Sequence, residues 1–296
     1  MALPAVEINR EPDAPPAAFY SEAGGIFESS ELTRGPWDAA SQHAGPPAAL
    51  LGRAIERCDG LGAGAADRLV VRVTFEILRP VPIATLRVEA EVARGGRRVD
   101  MVEAMLGDAS SGEPLVRARA WRMLRREVEV PAGLVSVDPA SAAQRAGRPS
   151  GGLGPPPGPL AIEPSEVFFP TGHDIGFHTA MEYRFVSGSF LEPGPATCWM
   201  RMLHPLVDGE TPSPLTRVLI PADSGNGISS TLDFDTHVFI NVDLSVHLHR
   251  LPEGEWVCLD SLTTPEPTGV GLADTMLFDE RGPLGRAAQS LLVATR

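Results

Sequence analysis

The sequence predicts an α+β fold used twice along one chain, each half a helix packed on the concave face of a curved antiparallel sheet. Three observations carry this expectation. Each half has one helical pattern upstream of a run in which apolar and polar residues alternate. Each alternating run stops at a proline-bearing turn, and each half closes on an acidic, glycine-containing turn followed by Pro-Leu-x-Arg-Ala. With 296 residues the chain has room for two domains of ordinary size.

The elements follow in order. Pro46–Arg57 is the first helical candidate, with Leu50, Leu51, Ala54 and Ile55 on one face. Val71, Val73, Phe75 and Ile77 then alternate with Arg72, Thr74 and Glu76, the period-2 pattern of a strand with one buried face. Arg79-Pro80 ends that strand, and a second is expected around Leu86–Val92. Asp108 to Gly112 makes the acidic turn before Pro114-Leu-Val-Arg-Ala118. Ten of the thirteen residues from Gly147 to Pro159 are Gly or Pro, a composition that supports neither helix nor paired strand. Beyond it the pattern returns. Pro214–Ala222 carries Leu215, Val218, Leu219 and Ala222 at helical spacing, with Ser213 as N-cap and Pro214 at the first helical position. Val242, Leu244, Val246 and Leu248 alternate with Asp243, Ser245, His247 and His249, Leu251-Pro252 closes the strand, and another is expected over Glu255–Leu262. Asp279 to Gly282 and Pro283-Leu-Gly-Arg-Ala287 complete the second copy.

Composition excludes several classes. A net charge of −13 repels nucleic acid phosphates and anionic membranes. No apolar run reaches membrane-spanning length, and the N-terminal segment lacks the pattern of a signal peptide, so a soluble, cytoplasmic protein is expected. Cys58, Cys198 and Cys258 show no C-x-x-C spacing and are read as reduced and mostly buried.

Taken together, Phe19-Tyr-Ser-Glu22, Gln42-His43-Ala44-Gly45-Pro46-Pro47-Ala48, Ala222-Asp223, Asp243-Leu-Ser-Val-His-Leu-His249-Arg250, Trp256, Ser261-Leu-Thr-Thr264 and Ala288-Gln289-Ser-Leu-Leu292 resemble the double hot-dog acyl-CoA thioesterases. The resemblance runs from about Phe19 to Val293. It implies a tandem hot-dog: an N-terminal unit at 1–128 without the catalytic Gln, a Pro/Gly-rich linker at 129–165, and a C-terminal unit at 166–296 with the catalytic groups. It also implies an acyl-CoA substrate, no cofactor, and the possibility of a homo-oligomer. In that family an Asp, a Thr and a Gln hold and activate the water that attacks the thioester, and the matching positions are Asp223, Thr264 and Gln289, with Thr263 one register step away.

The residues themselves speak to parts of this assignment. If the helix runs through Pro221, the Asp223 carboxylate projects from its apolar face, a costly place for a charge; otherwise Asp223-Ser-Gly-Asn is a loop or a new N-cap. Gln289 shares strand parity with Ala287, Leu291 and Val293, so its amide points into the core, where the first copy has Ala120. Arg94, Arg97 and Arg98 form the compact basic run, read either as a solvent-facing hairpin or as a clamp for coenzyme A phosphates. His247-x-His249 has metal-binding spacing without an evident third ligand, and no metal is expected. No G-x-S-x-G elbow occurs, and Gly24-Gly25 and Gly151-Gly152 lack phosphate-loop context. Two rival functions remain: a non-catalytic acyl-CoA binding protein, and an enoyl-CoA hydratase. The latter needs an Asp–His pair near the helix, for which Gly172-His173-Asp174 is the loose candidate.

Overall fold

The computed structural model describes residues 16–59, 67–129, 156–166 and 168–296. The first half opens with strands β1 (Tyr20–Ala23) and β2 (Ile26–Ser29), followed by helix α1 (Gly45–Arg57) and the meander β3 (Arg68–Ile77), β4 (Thr85–Arg94), β5 (Val99–Asp108) and β6 (Pro114–Leu124). The second half repeats this plan. A short helix α2 (Phe177–Ala180) leads into β7 (Met181–Ser189) and β8 (Glu192–Met202). Then come α3 (Pro214–Ala222), the single turn α4 (Gly225–Ile228), and strands β9 (His237–Asn241), β10 (Asp243–Leu248), β11 (Val257–Glu266), β12 (Val270–Asp279) and β13 (Gly282–Thr295).

Among the described residues these strands join in one antiparallel sheet, in the order β1-β2-β4-β5-β6-β3-β10-β13-β12-β11-β8-β7, with β9 paired to the end of β13. Reading outward from the middle, each half has the same strand order. The two meet where β3 pairs with β10, Val73 opposite Val246 and Phe75 opposite Leu244. No open edge is left between them. The inward faces of these strands and the apolar stripes of α1 and α3 form one continuous core.

The helices pack side by side under the sheet, and two glycines set their approach. A Cβ on Gly52 would fall 2.3 Å from Leu219 Cδ1, and one on Gly45 would fall 2.3 Å from the Ile220 carbonyl oxygen. At Gly45 the backbone leaves room for hydrogen alone, while at Gly52 the Leu219 side chain would have to move aside. Ser213 caps α3 as its sequence implies, its side chain accepting from the Thr216 N–H at 3.1 Å. At the other end of α1, Arg122 donates to the carbonyls of Ile55 (2.9 Å) and Cys58 (2.6 Å) and holds Asp100 through two further bonds of 2.9 and 3.0 Å. Arg68 reaches the same carboxylate at 3.3 Å. A cation thus meets the negative end of the helix, and the buried acid is shared between two guanidinium groups.

Two details depart from simple alternation. Val70 pairs with Arg122 and Arg72 with Trp121, so a bulge at Val71 turns that residue outward and gives its inward place to Val70. Val242 falls in the break between β9 and β10 and stays half exposed. Residues 130–155 of the expected linker lie outside the described residues. Its end is docked on the second half: the Trp199 indole donates to Pro157 O at 2.7 Å, and Arg184 donates to Pro159 O and Ile162 O at 3.2 and 2.8 Å. Cys198 and Cys258 are buried, Cys58 is partly so, and all three are free thiols. No helix among the described residues is long and apolar enough to cross a membrane.

Candidate active site

Helix α3 continues through Pro221 and stops at Ala222, leaving Asp223 as its C-cap. The chain then turns back at once: Ser224 N–H donates to Pro221 O at 2.8 Å, and α4 begins at Gly225. A Cβ on Gly225 would lie 2.4 Å from Thr275 Oγ1, so α4 can sit this close to the sheet only with glycine there. The result aims the Asp223 carboxylate at the N-terminus of α1, in the other half of the chain. Ala44, the N-cap of α1, offers no side-chain cap of its own, and the backbone N–H groups of Ala44 and Gly45 favour the charged form of Asp223.

Three side chains of two halves converge on this carboxylate. Asn241, at the end of β9, donates to Oδ1 at 2.8 Å. Gln289, from the middle of β13, donates to Oδ1 at 3.2 Å and to the Asp223 backbone carbonyl at 3.0 Å. Its own amide oxygen accepts the Asn226 N–H at 3.1 Å, so both ends of the Gln289 amide are held. The third is His43, whose Nδ1 stands 3.1 Å from Oδ2. Its ring lies flat on Phe177 of α2, centroids 3.8 Å apart and planes within 5°.

Burial dominates the electrostatics. Asp223 is 4% exposed. Desolvation lifts its carboxyl to about 7, against the opposing pull of the donors Asn241, Ala44, Gly45 and Gln289. Desolvation also pushes the His43 imidazole down to about 3, so that ring is neutral near pH 7. Nδ1 of His43 accepts the Gly45 N–H at 3.1 Å. In that tautomer the proton between the two side chains belongs to the carboxyl; when Asp223 ionises, the imidazole must turn its own N–H toward Oδ2. Near neutrality the carboxyl, not the imidazole, is the group of the pair that gains and loses a proton.

A cavity of about 420 Å³ opens beside the pair. Its walls are aromatic, with Trp37, Phe168, Phe169, Phe177, Phe190 and Phe239 around it, and Asp223, Ser224, Asn226 and Asn241 supply the polar end. That size and composition suit a small-molecule site. Ser224 Oγ is buried there without a hydrogen-bond partner.

The structure brings Asp223 and Gln289 together, but Gln289 stands behind the carboxylate and does not line the cavity. Thr264 does not join them. Strand parity on β11 turns it to the exposed outer face, while Thr263 points inward and is bonded to Ser229 Oγ at 2.8 Å. The hydroxyl of Ser229 in turn donates to Gly225 O at 2.8 Å, so Thr263 props up α4. Arg94, Arg97 and Arg98 are exposed at the β4–β5 turn, beside the start of β3, whereas the cavity lies beyond the end of β3 at Ile77 and Leu78. The hairpin reading fits that placement; a phosphate clamp would be separated from the cavity by the length of the strand. His173 and Asp174 do not line the cavity, and His43 is the imidazole beside the buried acid. His247 and His249 lie on the outer face, and among the described residues no three metal-ligating side chains gather.

Asn241, His43 and Ser224 are functional candidates that sequence reasoning missed. Asn241 carried a usable signal: it shares parity with Phe239, so a poor strand former points into the core, as Gln289 does. His43 had no such signal, because only tertiary structure brings it to a residue 180 positions away.

A helix laid on a curved sheet, repeated with the same strand order across a central pairing, is the architecture of hot-dog proteins. Solved structures share it. A candidate thioesterase II from Thermobifida fusca is similar at 17% identity, with 94% of this chain and 96% of that one covered and a TM-score of 0.66. A protein of unknown function with a hot dog fold from Alicyclobacillus acidocaldarius follows at 16% identity, 95% and 96% coverage and a TM-score of 0.64. The tesB protein of Mycobacterium avium subsp. paratuberculosis is similar at 16% identity, 93% and 96% coverage and 0.58. At such identities the likeness is one of fold. A sequence search of curated proteins gave no match. The family models decide the matter: the acyl-CoA thioesterase N-terminal domain matches residues 33–123 and the C-terminal domain matches residues 157–293. The chain belongs to the acyl-CoA thioesterase family.

Proposed function

We propose that the protein hydrolyses acyl-CoA to a free acid and CoA, using water bound at Asp223 as the nucleophile. The observation that carries this reading is a buried carboxylate with its pKa at about 7, fixed between the two halves at the edge of an apolar cavity. Such a group is ionised often enough at neutral pH to accept a proton and basic enough to take it from water. Asp223 and Asn241 hold the water, the Asp223 carboxylate removes a proton as the water oxygen attacks the thioester carbon, and the Ser224 hydroxyl donates to the carbonyl oxygen as it gains charge. Collapse breaks the C–S bond, and the proton on Asp223 passes to the departing thiolate. A thiolate leaves readily, so no covalent enzyme nucleophile is needed. Gln289 is a positioning residue, and His43 completes the carboxylate's hydrogen bonding in both protonation states. The units at 1–128 and 166–296, with 129–165 as linker, are the division we assign to the chain. In it the first unit contributes His43 and the α1 N-terminus and the second contributes the acid.

A second reading draws on the same Asp223–His43 contact, since an Asp–His pair at a helix end is what hydration of an enoyl-CoA requires. One experiment separates the readings: purified protein incubated with saturated acyl-CoAs of graded chain length and with a 2-enoyl-CoA. The hydrolase reading expects free thiol from the saturated substrates. Loss of the enoyl chromophore without thiol release would replace it with the hydratase, and binding without turnover of either would leave a binding protein.

A further inference from the structure

The outer face of the sheet carries a second concavity, a groove of about 1150 Å³ across the seam of the two halves, on the side away from the helices. One row of residues runs across it, strand by strand: Arg94 opposite Met101, Met101 opposite Trp121, Trp121 opposite Arg72, Arg72 opposite His247, and His247 opposite Arg286. Three neighbouring strands thus present Arg72, His247 and Arg286 side by side, about 5 Å apart. Asp274 is the one carboxylate lining the groove, and both its oxygens are bound to Arg286 Nη2 at 2.7 and 2.6 Å. Arg94 rests on the Trp121 ring at 5.8 Å. Among the described residues Arg72 has no acidic partner, and its Nε is buried without a hydrogen bond. In a chain of net charge −13 this is a local excess of cations at the bottom of a groove. Around it the lining is apolar: Val71, turned outward by its bulge, with Val99, Met123 and Leu272.

We propose that this groove binds an amphiphilic anion, a carboxylate or phosphate head at Arg72 and His247 with its hydrocarbon body along Trp121, Met123 and Leu272. The head group supplies the acceptor that Arg72 lacks. The exposed apolar side chains give the body a surface to cover. The site is separate from the Asp223 cavity, which lies within the fold at the opposite end of β3, and the proposal does not depend on hydrolysis.

Trp121 is a built-in reporter. In a Trp37→Phe background, which silences the tryptophan of the Asp223 cavity, decanoate and decyl phosphate are titrated separately while fluorescence is followed, with decanol as the neutral control. Both anions are expected to give a saturable change that decanol does not. Trp121→Phe should abolish the change, and Arg72→Gln should weaken it about tenfold while Tm stays put. The tighter of the two anions identifies the head group. No saturable response to either anion, the same affinity in Arg72→Gln, or a response that persists without Trp121 would overturn the proposal. So would light scattering showing that a second copy of the chain occupies the groove.

Discussion

Asp223 gives up hydration that its donors only partly replace, and this makes it both useful and costly. Its folded pKa of about 7 lies above the ordinary value of 3.8, so well below pH 3.8 the group is protonated in both states and carries no penalty. As pH rises from about 4 to about 7 the unfolded chain releases the proton and the folded one keeps it, and stability falls until the folded pKa is passed. Asp223→Asn should therefore gain roughly 2–4 kcal/mol relative to the native chain between pH 4 and pH 8, read by urea unfolding at both. An identical difference at the two pH values would contradict the burial account. Gln289→Ala, which installs the residue found at Ala120, should cost ~10²-fold in kcat with little change in KM, because Gln289 holds the acid and not the substrate. Combined with Asp223→Asn it should add little further loss, since a base already removed cannot be mispositioned. The inward face of Gln289 was legible from strand parity, whereas Asp223, followed by a loop or N-cap pattern, rested on the family resemblance. Thr264 falls on the exposed outer face and Thr263 on the inner one, because a single step of register on a strand changes the face.

Elements were legible where local chemistry marks their ends. Ser213-Pro214 fixes the start of α3, and its boundaries match the expected Pro214–Ala222. The Val71 bulge was not legible, since nothing in Val70-Val71 distinguishes an inward valine from an outward one; only pairing with β6 decides it. The buried Arg68–Asp100–Arg122 group at the end of α1 was missed for the same reason, as its members lie on three strands. It stands where α1 ends, so its loss should loosen helix and sheet together. Arg122→Ala leaves Asp100 with one partner and two helix carbonyls without any, and should cost roughly 3–5 kcal/mol by urea unfolding. A loss below 1 kcal/mol would mean that solvent reaches the group.

At the scale of the whole molecule the repeat was visible in sequence, but the way the copies cooperate was not. The first half supplies His43 and the N-terminus of α1, the second supplies Asp223, Asn241 and Gln289, and neither holds a complete site. The β3–β10 pairing and the α1–α3 contact through Gly45 and Gly52 hold these pieces in place. Cleavage between residues 129 and 156, with a protease site introduced there, should leave two fragments that co-elute and keep most thiol-releasing activity. Separation of the fragments under native conditions would show that the covalent connection holds the halves together. The central claim, that Asp223 is a base poised near neutrality by burial, is tested most directly by kcat for thiol release from an acyl-CoA between pH 5 and pH 9. The account predicts a rise through a single apparent pKa near 7 to a plateau, with Asp223→Asn lower by roughly 10²–10⁴-fold on that plateau. A profile flat across this range, or Asp223→Asn turning over at the native rate, would contradict it.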